Sequence, residues 1–180
     1  LYGSMAGSYR TIGQPDSAYH VYHLALDEAA RSGNSLLIAA TLNNMGVFLY
    51  KENQFDSAMN YYRAADRVVR TARDADQELE LFHGSVRDNI ATLYEEEGNF
   101  AAAGELYQAN YRLYKNGNDT YRFLNAGISL ANAHMEMGSN SRALALLQEL
   151  HPMIDTARHA GKLDNLIDFN RVYRKYYELN

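Results

Sequence analysis

The stretch AYHVYHLALDE, residues 18–28, places His20, His23 and Asp27 one helical turn apart from one another. Two imidazoles and a carboxylate at that spacing share one helix face, an arrangement that can ligate zinc. No second cluster of ligand residues accompanies it in the sequence, so it reads as a partly exposed helix face, and no metal is expected. Asp88 and the run Glu95, Glu96 and Glu97 could supply paired acids for proton transfer. A run of glutamates closing a helix is more simply a solvated face. Cysteine is absent, which removes thiolate ligands, disulfides and cysteine nucleophiles together. Serines occur outside any nucleophile-elbow context, and glycines are scattered singly with no phosphate-cradling loop. The exception is Gly3 with Gly7, on one face of the first helix. They permit close approach by a ligand or a preceding segment, or else mark a frayed end. No cofactor is expected.

Composition narrows the partner. Seventeen Lys and Arg against 22 Asp and Glu leave a formal charge of −5, and the isoelectric point is near 5.7. Non-specific nucleic-acid binding depends on neutralising phosphates, so this balance opposes it. Fifteen tyrosines invite base stacking, but Tyr9, Tyr22, Tyr62, Tyr94 and Tyr107 fall on the repeated packing sites described below, and the acidic balance opposes it. An apolar fraction of 47% with a mean hydropathy of −0.45 suits a folding, water-compatible chain. Apolar runs are too short to span a bilayer, no signal peptide opens the chain, and membrane insertion is not expected. The compartment stays open. The chain opens at Leu1 without an initiator Met and closes mid-pattern at Asn180, so a piece of a longer protein is expected.

The elements that would carry any site repeat. Aligned on Ala18, Ala58, Ala103 and Ala143, the sequence shows Gly13, Asn53, Gly98 and Gly138 five residues earlier. Glycine, then asparagine, best tolerates the positive φ that ends a helix. One turn after each alanine stands Tyr22, Tyr62, Tyr107 or Leu147, and one turn further Ala25, Ala65, Asn110 or Leu150. Upstream, a large apolar residue precedes a small one in Met5-Ala6, Met45-Gly46, Ile90-Ala91 and Leu130-Ala131, followed three residues on by Tyr9, Leu49, Tyr94 or His134. Small residues at fixed sites on two consecutive helices let the pair approach closely. Such a helix–turn–helix unit buries its apolar face only by stacking on neighbours. Two prolines and few β-branched residues agree with an all-α chain.

The unit resembles a tetratricopeptide repeat, whose signature has a small residue then an aromatic on the first helix, Gly in the turn, and Ala, aromatic, Ala on the second. The resemblance covers essentially the whole chain. It departs where Tyr2 and Leu42 only loosely meet the early aromatic and Arg87 and Gly127 replace it; Asn110 and His134 also depart. At that family packing site His134 reads as a hydrogen-bonded core histidine. The reference alanines lie 40, 45 and 40 residues apart, longer than the common repeat of about 34. Long units resemble tetratricopeptide arrays of bacterial signalling proteins. The resemblance implies a right-handed α-α superhelix of about four helix pairs, with units at 1–33, 34–74, 75–118 and 119–161 and a terminal helix at 162–180. Caps and breakers place the paired helices at 1–12 and 16–32, 34–52 and 56–73, 76–97 and 101–115, and 120–137 and 141–160.

The same resemblance puts the first helix of each pair on the concave side. Asn43, Val47 and Tyr50 are then expected to face a groove, with Asp88, Thr92 and Glu95, and with Asn125, Ile128, Asn132 and Met135. Arg171, Lys175 and Glu178 extend the series on the terminal helix, and Arg10 opens its other end. Asparagines can bond an extended backbone, Tyr50 and Met135 offer apolar contact, and charges set register. The carboxylate clamp of some chaperone-binding relatives is not carried over, because Asp88 and Thr92 stand among the groove positions. The expected function is a protein- or peptide-binding scaffold without catalysis. The alternative is the sensory input domain of a bacterial signalling protein, a sensor kinase or transcriptional regulator. An all-helical enzyme is a remote third. Weak self-association through the terminal helix is also expected.

Overall fold

Four turns, at 12–14, 52–54, 97–99 and 137–139, set the architecture. In each the chain enters the left-handed region at one residue: Gly13 (φ 75°), Asn53 (57°), Gly98 (72°) and Gly138 (71°). The following amide, of Gln14, Gln54, Asn99 or Ser139, donates back to the carbonyl of Tyr9, Leu49, Tyr94 or His134 at 2.7–2.9 Å. This is a Schellman closure that satisfies orphan carbonyls at the helix end. Its acceptors are the equivalent residues of the repeat, so the sequence register and the backbone register coincide.

The computed structural model describes residues 2–73 and 75–159, with side chains over 5–73 and 75–156. The described chain is all-α: α1 (Tyr2–Thr11), α2 (Pro15–Ser32), α3 (Ser35–Lys51), α4 (Phe55–Thr71), α5 (Gln77–Glu96), α6 (Phe100–Lys115), α7 (Thr120–Glu136) and α8 (Asn140–His159). These bounds fall within a residue or two of those expected from caps and breakers. The expected terminal helix, with Arg171, Lys175, Glu178 and the self-association assigned to it, lies outside the described residues. Contacts divide the chain into two compact units, Leu1–Ile90 and Ala91–Asn180, with the boundary inside α5.

In the first unit, α1 packs on α2, α2 on α3, and α3 on α4. Ala18 and Ala58 are fully buried, as their place in the repeat requires. Gly46 lies directly beneath the Tyr62 ring, where an added Cβ would stand 2.5 Å from two ring carbons. The Tyr22 and Phe48 rings meet across α2 and α3 at 5.5 Å. A polar seam joins α4 to α5: Asp66 Oδ1 lies 2.7 Å from Nε2 of the buried His83, and Arg87 lies 2.8 Å from its Nδ1. Guanidinium only donates, so Nδ1 is the acceptor and Nε2 carries the proton given to Asp66. Glu80 in turn accepts from Arg87 at 3.3 Å. Asp66→Ala leaves a buried donor without its acceptor, and urea denaturation is expected to show a loss of about 1–3 kcal/mol.

In the second unit, α6 packs on α7 and α7 on α8. Ala103 and Ala143 are fully buried, and Leu147, Leu150 and Ile154 close the α8 face. Gly127 is the close-approach point here: an added Cβ would meet Leu150 at 2.5 Å and the Tyr111 ring at 3.2 Å. The Tyr111 ring stacks on Phe123 with centroids 4.9 Å apart. Its hydroxyl donates to Glu149, which Lys115 also reaches at 2.9 Å.

Candidate functional site

The first helices of the pairs carry the expected groove residues, and each unit treats them differently. On α3, Asn43 is buried rather than exposed: its Oδ1 accepts from Asn89 Nδ2 at 2.7 Å, tying α3 to α5. Val47 and Tyr50 stay half-buried on the same face, one and two turns on. The Tyr50 ring lies 5.5 Å from Phe55, which is 41% exposed. Burial, and after it the nearby Tyr50, push the Tyr62 phenol well above its ordinary value. Asp88 on α5 is half-buried.

In the second unit Thr92 and Glu95 are half-buried on α5, and Asn125 is half-buried on α7. Asn132, only 2% exposed, donates through Nδ2 to Glu95 Oε1 at 3.3 Å. The other Glu95 oxygen accepts from the Tyr107 hydroxyl at 3.0 Å. Glu96 and Glu97 are exposed, so only the first member of the glutamate run leaves the solvated face. Ile128 and Met135 are buried.

The expectation that Asn43, Ile128, Asn132 and Met135 face a groove therefore gives way to buried positions. The cause is crowding around α3 and α7. Nearly every residue of α7 from Phe123 to Ala133 is buried, so the face turned from one neighbour meets another. Of the expected groove residues on α3, α5 and α7, Val47, Tyr50, Asp88, Thr92, Glu95 and Asn125 remain accessible, each half-buried.

His134 is half-buried, and its Nδ1 is enclosed without a hydrogen-bond partner among the described residues, unlike the bonded core histidine expected. Burial first, and the Arg142 charge second, lower its pKa. A histidine that resists protonation in the fold binds fewer protons than in the unfolded chain, so stability rises with pH there. Its contribution is complete above the unfolded value of about 6.5 and falls as pH drops through the lower folded value. Relative to His134→Gln, the native chain is expected to lose more stability between pH 7 and pH 5, measured by denaturant titration at each pH.

His20 and Asp27 are exposed, while the His23 ring meets Tyr19 edge-on at 4.5 Å. Among the described residues no group of three or more His, Asp or Glu side chains is placed to hold a metal ion. No described helix is long and apolar enough to cross a membrane. The seam of His83, Asp66 and Arg87 was invisible to motif reading. Its one trace in sequence is the i, i+3 and i, i+4 spacing of Glu80, His83 and Arg87, shared by countless solvated helices.

The tetratricopeptide repeat family profile matches residues 38–68, the stretch from within α3 to near the end of α4. A curated relative, response regulator aspartate phosphatase A of Bacillus subtilis, is 25% identical over 162 residues, covering 86% of this chain and 40% of its own. This chain thus spans less than half of that relative's length. Among solved structures, the apo form of RapI superposes with a TM-score of 0.78 at 15% identity, over 98% of this chain and 48% of its own. A point variant of a Podosopora anserina kinesin light chain with nearly identical TPR-like repeats superposes with a TM-score of 0.75 at 17% identity. That match covers 99% of this chain and 89% of the other. At these identities the structural likenesses speak for the fold.

Proposed function

This chain is a tetratricopeptide-repeat protein, and from that premise we propose that it is a protein- or peptide-binding scaffold with no chemistry of its own. The observation that carries the reading is the distribution of side chains on the first helices. Many small and apolar residues of these helices are buried, while Tyr50, Asp88, Thr92 and Asn125 keep part of their surface open to water. An amide, a hydroxyl, a phenol and a carboxylate are groups that bond an extended backbone and anchor one side chain.

The test is selection of peptides from a displayed library on the purified chain. Tyr50→Ala for a peptide held by the first unit, or Asn125→Ala for one held by the second, is expected to weaken the selected peptide by about five- to thirtyfold, the range of interface anchors. Asp88→Lys is expected to change the association rate more at low salt than at high, where screening already suppresses steering. Arg67→Ala and Arg112→Ala, exposed on α4 and α6, serve as controls. Binding that survived the first three changes and failed in the controls would place the functional surface on the second helices.

The second reading is a regulatory or sensory segment of a bacterial signalling protein. It is supported by the similarity to part of a relative named as a response regulator aspartate phosphatase. That name describes the relative. A kinase or DNA-binding module in the same gene would establish the reading, and a gene with neither would remove it.

A further inference from the structure

An open cavity of about 370 Å³ lies within the first unit where the end of α3 meets the starts of α2 and α4. Phe48, a buried residue, is among those that line it. Tyr19 and Tyr61 line it as well, together with the polar residues Asp16, Glu52 and Ser57. It lies on a different side of α3 from Asn43, Val47 and Tyr50, because its α3 lining residues Phe48 and Leu49 each point about 100–160° away from all three on a 3.6-residue helix. The cavity is therefore independent of the face proposed above for peptide binding.

Its charge has a definite sign. The starts of α2 and α4 each present about half a positive charge, and the end of α3 about half a negative one. Asp16 and Glu52 add two full negative charges, and neither carboxylate is in an ion pair among the described residues. Lys51, the adjacent cation, does not line the cavity. The balance is negative, so a cation is favoured.

The lining selects the kind of cation. A small metal ion takes several oxygen ligands at once, and the described residues place no such group. Aromatic faces instead favour an organic cation, through the ring quadrupole and through contact with an alkyl stem. Tyr61 bonds to Tyr19, and burial, with that bond second, pushes the Tyr61 phenol up to about 12, so its ring stays neutral. The volume lies near the lower end of ligand pockets, about 300–1,000 Å³, which suits one long side chain.

We propose that this cavity binds an alkylammonium or guanidinium group on an apolar stem, the chemistry of a lysine or arginine side chain. Phe48 and the two tyrosine rings hold the stem, Asp16 and Glu52 face the charge, and Ser57 accepts a hydrogen bond from it. The cation comes either from a basic peptide or from a free diamine.

The test is a titration of the full chain, carrying ring-labelled tyrosine, followed by nuclear magnetic resonance. The probes are acetyl-Ala-Lys-Ala-amide, acetyl-Ala-Arg-Ala-amide, putrescine, the norleucine analogue of the lysine peptide, and sodium acetate. Saturable shifts of Tyr19 and Tyr61 with the lysine or arginine peptide are expected, weakened about tenfold in the Asp16→Asn, Glu52→Gln double variant. Circular dichroism of that variant, whose changes are confined to polar lining residues, should match the native chain. Tighter binding of the peptides than of putrescine would identify a side chain as the source, and the reverse a free diamine; both support the proposal. Equal binding of the norleucine peptide, saturation by acetate at the same rings, or an unchanged affinity in the double variant would overturn it. None of these outcomes touches the library selection, whose substitutions lie on other faces.

Discussion

Ala103→Trp is expected to lower the stability of the second unit by at least about 3 kcal/mol, because overpacking a seam by far less than an indole already costs about 1–3 kcal/mol. Ala103 is fully buried at the start of α6, and any larger side chain there must push neighbouring helices apart. Glycine substitutions grade the same effect. Gly46→Ala and Gly127→Ala each gain about 1 kcal/mol of helix propensity, yet each places a methyl 2.5 Å from Tyr62 or Leu150. The Tyr62 ring is itself buried and has nowhere to swing, so a net loss is expected at Gly46, and a smaller one at Gly127 if Leu150 changes rotamer. Gly104→Ala should go the other way. Its Cβ would rest 3.6 Å from that of Ala133, ordinary contact, leaving the propensity gain uncancelled. Urea titrations of the four variants check the order. Because repeat arrays unfold as sums of unit and neighbour terms, probes in both units should be followed. An Ala103→Trp chain with an unchanged transition in the second unit would mean that the repeat register is misassigned.

Local chemistry explains why so much of the fold is readable from the chain. The positive-φ turns need Gly or Asn whatever surrounds them, and the fully buried alanines need a small side chain whatever the partner. These demands depend on a few adjacent residues and recur four times, so Gly13, Asn53, Gly98 and Gly138 mark their turns unaided. The site is less readable because exposure is settled by more distant residues. Asn43 and Asn132 occupy positions that a single helix pair leaves open, and they are closed by Asn89 and Glu95 on α5. A polar residue on a repeat's outer face has the same signature in sequence whether it meets water or another amide. The seam of Asp66 and His83 escapes for the same reason: its two members lie on different helices, and neither residue type is unusual where it stands.

Glu95 shows what that ambiguity means for experiments, and Glu95→Lys is expected to lower the stability of the second unit by about 2–6 kcal/mol. One carboxylate accepts from Tyr107 at 3.0 Å and from Asn132 at 3.3 Å. Both donors belong to side chains that are almost wholly buried, so water does not readily replace the lost acceptor. Each unsatisfied buried donor costs about 1–3 kcal/mol, and an ammonium offers neither of them an acceptor. Glu95→Gln keeps one carbonyl oxygen, so it should cost less than half as much, with the deficit falling on whichever donor is left over. Thermal or urea denaturation of the two variants separates the cases. Equal losses would mean that the charge and not the accepted bonds matters, and no loss in either would mean that both donors find other acceptors. The outcome governs how binding data on the α5 face are read. A peptide that failed to bind Glu95→Lys would report a loosened unit as readily as a lost contact. Binding that fell with Glu95→Gln while stability held would assign the carboxylate a place in recognition itself.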